Sequence, residues 1–269
     1  MARDTTHALS FGQNVGDYER GRPSYPDAAV DWMLAQATPG SSPYDTAPVR
    51  IPAKHPGADH TEPLAVVDVG AGTGKFTASL VARDLAVSAV EPDPVMRASL
   101  TRNYPSVTAY QGTGESMPLP DASADLVTFA QSWHWVDVDA ASAEVARVLK
   151  PTGALALIWN IRDQSVDWVA RLGDIMGASA AEQYESVTPP VAWPLATVEH
   201  AQFSWDNPMT RDQLLAMITS RSYIIALEPG ARAELLERVG VLLDEHPQLA
   251  GHDTYLMPYS TRVTLARRA

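Results

Sequence analysis

Between residues 64 and 159, short apolar runs alternate with segments whose apolar positions recur at helical spacing. The runs have the length and continuity of strands buried on both faces, and they occupy residues 64–69, 87–90, 107–110, 125–130 and 154–159. The helical patterns between them occupy residues 75–83, 93–102 and 139–149. Strands that alternate with helices in this way predict βαβ units and a parallel sheet.

The flanking segments are less regular. A helix is predicted at 27–37, and after residue 162 we expect helical pieces, a strand at 198–205, helices at 210–219 and 231–245, and a final strand at 255–265. Thr210 and Gln213 form a capping-box signature. Pro258 cannot donate to a β-ladder, so it is expected to mark a bulge or the beginning of the final strand.

These patterns predict five parts. They are an N-terminal arm and helix that contribute to the active site at 1–37, a Pro-rich irregular loop at 38–63, a ligand-binding core at 64–162, a helical insertion that caps the substrate at 163–197, and strands and helices that complete the sheet at 198–269. The loop contains six prolines and two glycines, a composition that fits either a linker or a lid over a ligand.

Composition narrows the function classes. The 269 residues carry a formal net charge of −12 and no cysteine, which excludes disulfides, thiolate metal sites and cysteine nucleophiles. An acidic field repels phosphate backbones and anionic lipids, so neither nucleic acid nor membrane is expected as a partner. The sequence has no apolar window of about 18 residues and no secretory signal pattern, so the cytoplasm is the expected location. No metal is expected, because the histidines show no paired ligand spacing.

The most informative stretch is the glycine loop at residues 67–74, which reads VDVGAGTG. It follows a predicted strand and precedes a predicted helix, where glycines let the backbone turn sharply and approach a ligand. A Walker A loop would need one more residue before its Gly-Lys pair and a hydroxyl residue where Phe76 stands. A dinucleotide fingerprint would need glycine at Lys75. Both nucleotide interpretations therefore fail.

The spacing of Gly70, Gly72 and Gly74 after Asp68 resembles motif I of class I S-adenosylmethionine-dependent methyltransferases. The resemblance implies that Glu91, at the end of the second predicted strand, accepts hydrogen bonds from both ribose hydroxyls of S-adenosylmethionine. It also implies that the Gly-Thr-Gly at 112–114 lies against the adenine ring and that Met96 packs on the adenine face. The sequence departs from many members at Thr113, where they carry an acidic residue.

Two further segments resemble the UbiE-like, type 11 branch and within it the trans-aconitate methyltransferase-like subgroup. They are YERGRPSYP at 18–26 and QSWHWVD at 131–137, and ESMPLP at 115–120 adds to them. The implied fold is α/β and Rossmann-like, with a mostly parallel seven-stranded sheet, helices on both faces, and a cap formed by the helical insertion and the N-terminal arm.

The resemblance and the strand-end positions together assign candidate site residues. The cofactor-binding candidates are Asp68, Gly70, Ala71, Gly72, Thr73, Gly74, Glu91, Pro92, Met96, Thr113, Gly114, Glu115, Gln131, Tyr18 and Arg22. The substrate-binding candidates are Tyr25, Trp133, Trp135, Asn160, Arg221, Tyr223 and Tyr259. Arg22 could pair with the carboxylate of the donor or of an acidic substrate.

His134 is the catalytic candidate, because it follows the fourth strand, where ligands bind in open α/β sheets. It acts as a general base, as a residue that lines the pocket or positions the substrate, or as a purely structural residue. The expected function is methyl transfer to an oxygen or nitrogen of a small molecule, with a carboxylate as one version. A non-catalytic S-adenosylmethionine-binding partner or regulatory protein is the alternative, and an NAD-dependent oxidoreductase is disfavoured by Lys75.

Overall fold

The computed structural model describes residues 15–37, 63–177 and 188–269. The predicted loop at 38–63 lies outside this part of the chain except for Pro63, as do residues 1–14 of the N-terminal arm and residues 178–187 of the predicted insertion. The helices are α1 (Val15–Gly21), α2 (Asp27–Ala37), α3 (Lys75–Val81), α4 (Pro94–Asn103), α5 (Val138–Val148), α6 (Asp167–Met176), α7 (Arg211–Thr219), α8 (Ser222–Ile225) and α9 (Pro229–Glu245). The strands are β1 (Ala65–Val69), β2 (Ala86–Val90), β3 (Thr108–Tyr110), β4 (Ala124–Ala130), β5 (Leu149–Arg162), β6 (Leu195–Thr210) and β7 (Thr254–Arg268).

Within the described ranges, the strands form one seven-stranded sheet in the order β3-β2-β1-β4-β5-β7-β6. The pairs β1–β2, β1–β4, β2–β3 and β4–β5 are parallel. The order reverses between β1 and β4, and ligands of open α/β sheets bind at the carboxyl ends of strands beside such a point. The predicted Rossmann-like α/β fold is confirmed, as a mixed sheet flanked by helices.

Local sequence signals explain where the helices begin. The Asp93 side chain accepts hydrogen bonds from the backbone N–H groups of Val95 and Met96, and Pro94 is the first residue of α4. The capping box at the start of α7 is complete, because Thr210 and Gln213 each accept a backbone hydrogen bond from the other. Both caps agree with the sequence, and both satisfy backbone donors that a helix terminus leaves without a partner.

Several elements differ from the prediction: α8 was not predicted, β6 extends beyond residues 198–205 at both ends, and three other elements also differ. Helix α1 was not predicted, because its seven residues lack an apolar repeat. Strand β5 is longer than residues 154–159: Leu149 pairs with Ala124, and the ladder resumes after a register shift at Ala154 with Leu126. The Pro-Thr-Gly at 151–153 therefore ends helix α5 without ending the strand. Strand β7 begins at Thr254, so Pro258 lies inside it and does not mark its beginning.

The chain divides into two compact units. In the described part, the core unit comprises residues 24–37, 63–159, 188–203 and 262–269, and the helical unit comprises 15–23, 160–177 and 204–261. The core unit buries apolar side chains of α2, α3, β1, β4 and β5 together. The helical unit buries another set, in which Met176, Met209 and Met217 fill the core. None of the helices in the described ranges is long and apolar enough to cross a bilayer.

Candidate active site

The glycine loop leaves strand β1 through three glycines with positive φ: Gly70 at 66°, Gly72 at 59° and Gly74 at 94°. These left-handed conformations strain any residue that carries a Cβ. Space is also restricted, because a Cβ on Gly70 would lie 2.6 Å from the Cβ of Ser132. The Gly70 N–H donates to the carbonyl of Val90 at 2.8 Å, which holds the start of the loop against the end of strand β2. Glycine is therefore required by the conformation of the loop as well as by the resemblance.

Glu91 lies at the end of β2, and its side chain is buried. Its Oε2 accepts the N–H of Gly72 at 2.7 Å, and its Oε1 accepts the N–H of Asp93 at 2.9 Å. Burial raises the pKa of this carboxyl, opposed by the hydrogen bonds from Asp93 and Gly72. Each carboxylate oxygen can accept more than one hydrogen bond, so acceptor capacity remains for two ribose hydroxyls. The group predicted to bind the ribose therefore also holds the glycine loop.

Asp68 lies in β1 just before the loop and is fully buried. Its Oδ2 accepts the hydroxyl of Thr77 in α3 at 2.7 Å, and its Oδ1 accepts the hydroxyl of Thr128 in β4 at 3.3 Å. Burial raises the pKa of Asp68 to about 7, against the lowering effect of the two threonine hydrogen bonds. The side chain thus connects the strand before the loop to the helix after it and to the neighbouring strand.

The segment after β4 approaches the glycine loop directly. Gln131 has a positive φ of 55°, and its N–H donates to the carbonyl of Ile158. The next residue, Ser132, donates its hydroxyl to the carbonyl of Val69 at 2.7 Å. Residues Trp133–Trp135 then form a single 3₁₀ turn. His134 is therefore two residues from a serine that contacts both β1 and Gly70.

The aromatic residues of this turn have different environments. Trp133 is fully buried, stands edge-on to Phe129 with centroids 4.7 Å apart, and donates its indole N–H to the carbonyl of Pro190 at 2.8 Å. His134 is half-buried beside the ring of Trp135, with centroids 4.6 Å apart. Trp133 therefore anchors the turn in the core, while the side chains of His134 and Trp135 stay partly exposed.

The residues predicted around the adenine occupy the ends of β2 and β3. Met96 is buried in the first turn of α4, Gly114 is buried, and Thr113 is exposed in an antiparallel bridge to Ser116. A Cβ on Gly114 would lie 2.8 Å from a methyl carbon of Val136. Other candidates of the core unit lie nearby in the chain: Ala71 and Thr73 are buried in the loop, Pro92 follows Glu91, and Glu115 accepts the N–H of Asp137 at 2.8 Å.

Tyr25 is also in the core unit. It is buried and stands edge-on to Phe76 of α3, with centroids 4.9 Å apart. Because Phe76 belongs to the helix that follows the glycine loop, Tyr25 supports that helix in the described structure.

The remaining candidates lie in the helical unit. The guanidinium of Arg22 is 5.1 Å from the ring centroid of Tyr18, and its Nε and Nη2 donate to the hydroxyl and carbonyl of Ser220 at 3.0 and 2.9 Å. Asn160 accepts the hydroxyl of Thr261 at 2.6 Å. Tyr223 and Tyr259 lie close enough to Arg221 to act on its charge.

Sequence reasoning missed residues that contact the candidate site residues or are buried near them in the same unit. Ser132, Thr77 and Thr128 make their site contacts through hydroxyls, and Arg162 of the helical unit was not singled out although its side chain is buried. Small hydroxyl residues have no spacing that marks them, because the groups they bind are brought close only by the sheet.

The core unit fits S-adenosylmethionine by its donor and acceptor groups. A loop of left-handed glycines lets backbone approach a ligand, and a buried carboxylate at the end of the next strand can accept hydroxyl hydrogen bonds. Glycine loop and carboxylate are joined by the hydrogen bond from Gly72 to Glu91.

Comparisons with known proteins also indicate a methyltransferase. Residues 67–157 match the family model described as a methyltransferase domain. An uncharacterised methyltransferase of Mycobacterium tuberculosis (strain ATCC 25618 / H37Rv) is 43% identical over 262 residues, covering 96% of this chain and 97% of that protein. A methyltransferase-like protein of Schizosaccharomyces pombe is 28% identical over 263 residues, covering 94% and 93%.

A solved structure described as a type II methyltransferase from Anaeromyxobacter dehalogenans has the same fold, with a TM-score of 0.62 at 22% identity over 92% of this chain and 97% of that one. The Mycobacterium tuberculosis methyltransferase is 43% identical to this chain along nearly the whole length of both. The chain therefore belongs to the class I S-adenosylmethionine-dependent methyltransferases, with S-adenosylmethionine as its cofactor.

Proposed function

We propose that the protein transfers the methyl group of S-adenosylmethionine to an oxygen or nitrogen of a small-molecule acceptor, with His134 beside the reacting atoms. The observation that carries this proposal is the hydrogen bond from Ser132 to the carbonyl of Val69, at 2.7 Å. It ties the turn that contains His134 to the strand from which the glycine loop leaves. The only ionisable side chain of that turn is thus held beside the proposed donor site of the same unit.

The donor-binding roles follow from the core unit. We propose that Glu91 accepts the ribose hydroxyls while it holds Gly72, and that Met96, Thr113 and Gly114 surround the adenine. Asp68 would act through Thr77 and Thr128, keeping strand, loop and helix in register. Tyr18 and Arg22 remain predicted ligand contacts of the helical unit.

The bound donor supplies a methyl group that its sulfonium has already activated. The protein therefore has mainly to orient the acceptor and exclude water, and near-attack geometry alone can contribute about 7–11 kcal/mol. His134 would accept a proton if the acceptor is a hydroxyl or an ammonium. A carboxylate acceptor has no such proton, and His134 would then position it through a hydrogen bond.

A small acceptor is favoured over nucleic acid by the formal net charge of −12, which repels a phosphate backbone at long range. The second candidate function is a protein that binds S-adenosylmethionine without turnover. The intact glycine loop and Glu91 support donor binding in both cases, so turnover has to be measured.

The test is formation of S-adenosylhomocysteine with a panel of hydroxyl, amine and carboxylate acceptors, for the natural chain and for His134→Ala. With a hydroxyl or ammonium acceptor, loss of a general base lowers the maximal rate by about 10²–10⁴. The rate of the natural enzyme would then rise with pH as the imidazole loses its proton. With a carboxylate acceptor, the variant would mainly lose acceptor affinity.

His200→Ala is the matched control, because His200 is exposed on strand β6. Donor affinity should be the same in all three proteins. If His134→Ala keeps the natural rate and the natural acceptor affinity, His134 has only a structural role. Donor binding without turnover on any acceptor would favour the non-catalytic candidate.

A further inference from the structure

The helical unit contains a group of cationic and phenolic side chains. We call it the arginine–tyrosine cluster, and it consists of Arg22, Arg162, Arg221, Tyr223 and Tyr259. Arg162 and Tyr259 are buried. Arg221 keeps some exposure as a whole, but its Nε is buried. Burying cations is unfavourable unless acceptors surround them, so the surroundings of these guanidiniums decide what the cluster can bind.

Two of the guanidiniums donate to methionine sulfurs. Arg162 donates from Nη1 to the sulfur of Met176 at 3.0 Å, and Arg221 donates from Nη2 to the sulfur of Met217 at 3.8 Å. Both methionines belong to the apolar core of the helical unit. A thioether is a poor acceptor for a charged donor, so the contact with Met217 does not compensate for the burial of Arg221.

Two buried polar atoms of the cluster have no hydrogen-bond partner among the described residues: Arg221 Nε and the Tyr259 hydroxyl. In the same part of the chain, no carboxylate forms an ion pair with Arg221 or with Arg22, whose guanidinium donates to Ser220. Native proteins rarely leave such donors unsatisfied, and a bound ligand with acceptor atoms would satisfy both.

The electrostatics of the cluster agree with this geometry. The pKa of Arg221 is lowered to about 10, first by burial and then by the positive charges of Arg22 and Arg162. Burial raises the pKa of Tyr259, while the charges of Arg221, Arg162 and Arg22 oppose that shift. Among the described residues, the charges that act most strongly on Arg221 are therefore positive, and a bound anion would relieve their repulsion.

We propose that the arginine–tyrosine cluster binds the carboxylate group of a small ligand, an inference that goes beyond the proposed function. The planar fork of a guanidinium matches a carboxylate with two parallel hydrogen bonds, and a phenolic hydroxyl adds a third donor. The free donors at Arg221 Nε and Tyr259 supply two of these contacts.

The charge of the cluster favours a carboxylate ligand other than the donor. The carboxylate of S-adenosylmethionine is attached to the carbon that carries an ammonium group, and its sulfonium adds another positive charge. The strongest charges acting on Arg221 are those of Arg22 and Arg162, both cationic. A ligand with no ammonium beside its carboxylate is therefore bound more favourably.

The experiment measures binding to the full chain by calorimetry at constant ionic strength. The probes are succinate, benzoate and octanoate, each compared with its neutral amide, and aspartate, which adds an ammonium to succinate. The natural chain should bind at least one carboxylate and none of the amides, with aspartate weaker than succinate. Arg221→Gln should weaken the affinity for the carboxylate by about tenfold or more, as expected for loss of a charge-assisted pair.

Arg238→Gln removes the same charge from an exposed position in α9 and should leave binding unchanged. Tyr259→Phe removes only the hydroxyl and should weaken binding a few-fold without changing the fold. S-adenosylhomocysteine affinity should be the same in all of these variants, so a failure of donor binding itself would be recognised as a failure of the proposed function.

Three results would overturn the assignment. One is that none of the carboxylates binds the natural chain. Another is that Arg221→Gln and Tyr259→Phe bind them as well as the natural chain does. The third is that Arg221→Gln weakens the binding of S-adenosylhomocysteine but not that of methylthioadenosine, which lacks the amino-acid part. That result would place the donor's own carboxylate in the cluster.

Discussion

Replacing Glu91 with alanine should affect both donor affinity and the stability of the empty protein. The carboxylate accepts two backbone N–H groups, from Gly72 and Asp93, at 2.7 and 2.9 Å. Leaving a buried donor without a partner costs about 1–3 kcal/mol. Because burial raises the pKa of Glu91, removal of its charge returns part of that cost. We expect a net loss of about 1–3 kcal/mol in the free energy of unfolding.

The loss of donor affinity should be larger than this instability explains. Each hydrogen bond from a ribose hydroxyl to the carboxylate is expected to contribute about 1.5–3 kcal/mol. Glu91→Ala should therefore weaken the affinity for S-adenosylmethionine at least about tenfold. Calorimetry gives the affinity at a temperature where circular dichroism shows the variant folded, and thermal unfolding without ligand gives the stability.

Glu91→Gln provides a finer comparison at nearly constant volume. Since both carboxylate oxygens accept backbone N–H groups, the new amide must direct its NH₂ at one of those donors. It should therefore be less stable than the natural chain. Glu237→Ala, which removes an exposed carboxylate from α9, should change neither quantity. Natural affinity and natural stability in Glu91→Ala would refute the reasoning.

Two further predictions concern the glycine loop. Gly72→Val should abolish donor binding in calorimetry, because a β-branched residue is strained at a φ of 59°, whereas Gly230→Val, where a Cβ would meet nothing, should bind normally. The pKa of Asp68 is raised to about 7, so the native state keeps a proton that the unfolded chain loses above about pH 4, and the stability contribution of Asp68 falls as pH rises from about 4 to about 7. Asp68→Asn should remove this dependence, so that its stability relative to the natural chain increases between pH 5 and pH 8 in denaturant titrations, by up to about 3 kcal/mol. A difference that does not vary with pH would show that Asp68 does not hold its proton.

The sequence was sufficient for elements whose cause is local. The apolar runs predicted β1 to β4 nearly to the residue. For β1 and β4 the cause is burial on both faces, which admits few polar side chains. The caps at Asp93 and Thr210 were readable because a cap lies within three residues of the groups it satisfies. Helix α1 lacks an apolar repeat, so its formation depends on contacts with residues such as Thr219, whose hydroxyl donates to Asp17 at 2.7 Å.

The same distinction separates the parts of the candidate site. Motif spacing identified the glycine loop and Glu91, because a loop with three left-handed residues restricts its sequence strongly. The contact between Ser132 and Val69 joins residues 63 positions apart, and the approach of Arg22 to Ser220 joins residues 198 positions apart. No periodicity in a sequence encodes such pairs, because they depend on how strands and helices pack.

The sequence by itself thus determined the class of fold, the cofactor and the position of the glycine loop, since these follow from local backbone conformation and from burial along each strand. The tertiary structure decided which side chains share a charge environment. It alone brings three arginines and Tyr259 together in the helical unit, because that grouping requires β7 and α8 to lie near α1 and the end of β5. Electrostatic interaction depends on distance in space, and distance along the chain does not predict it.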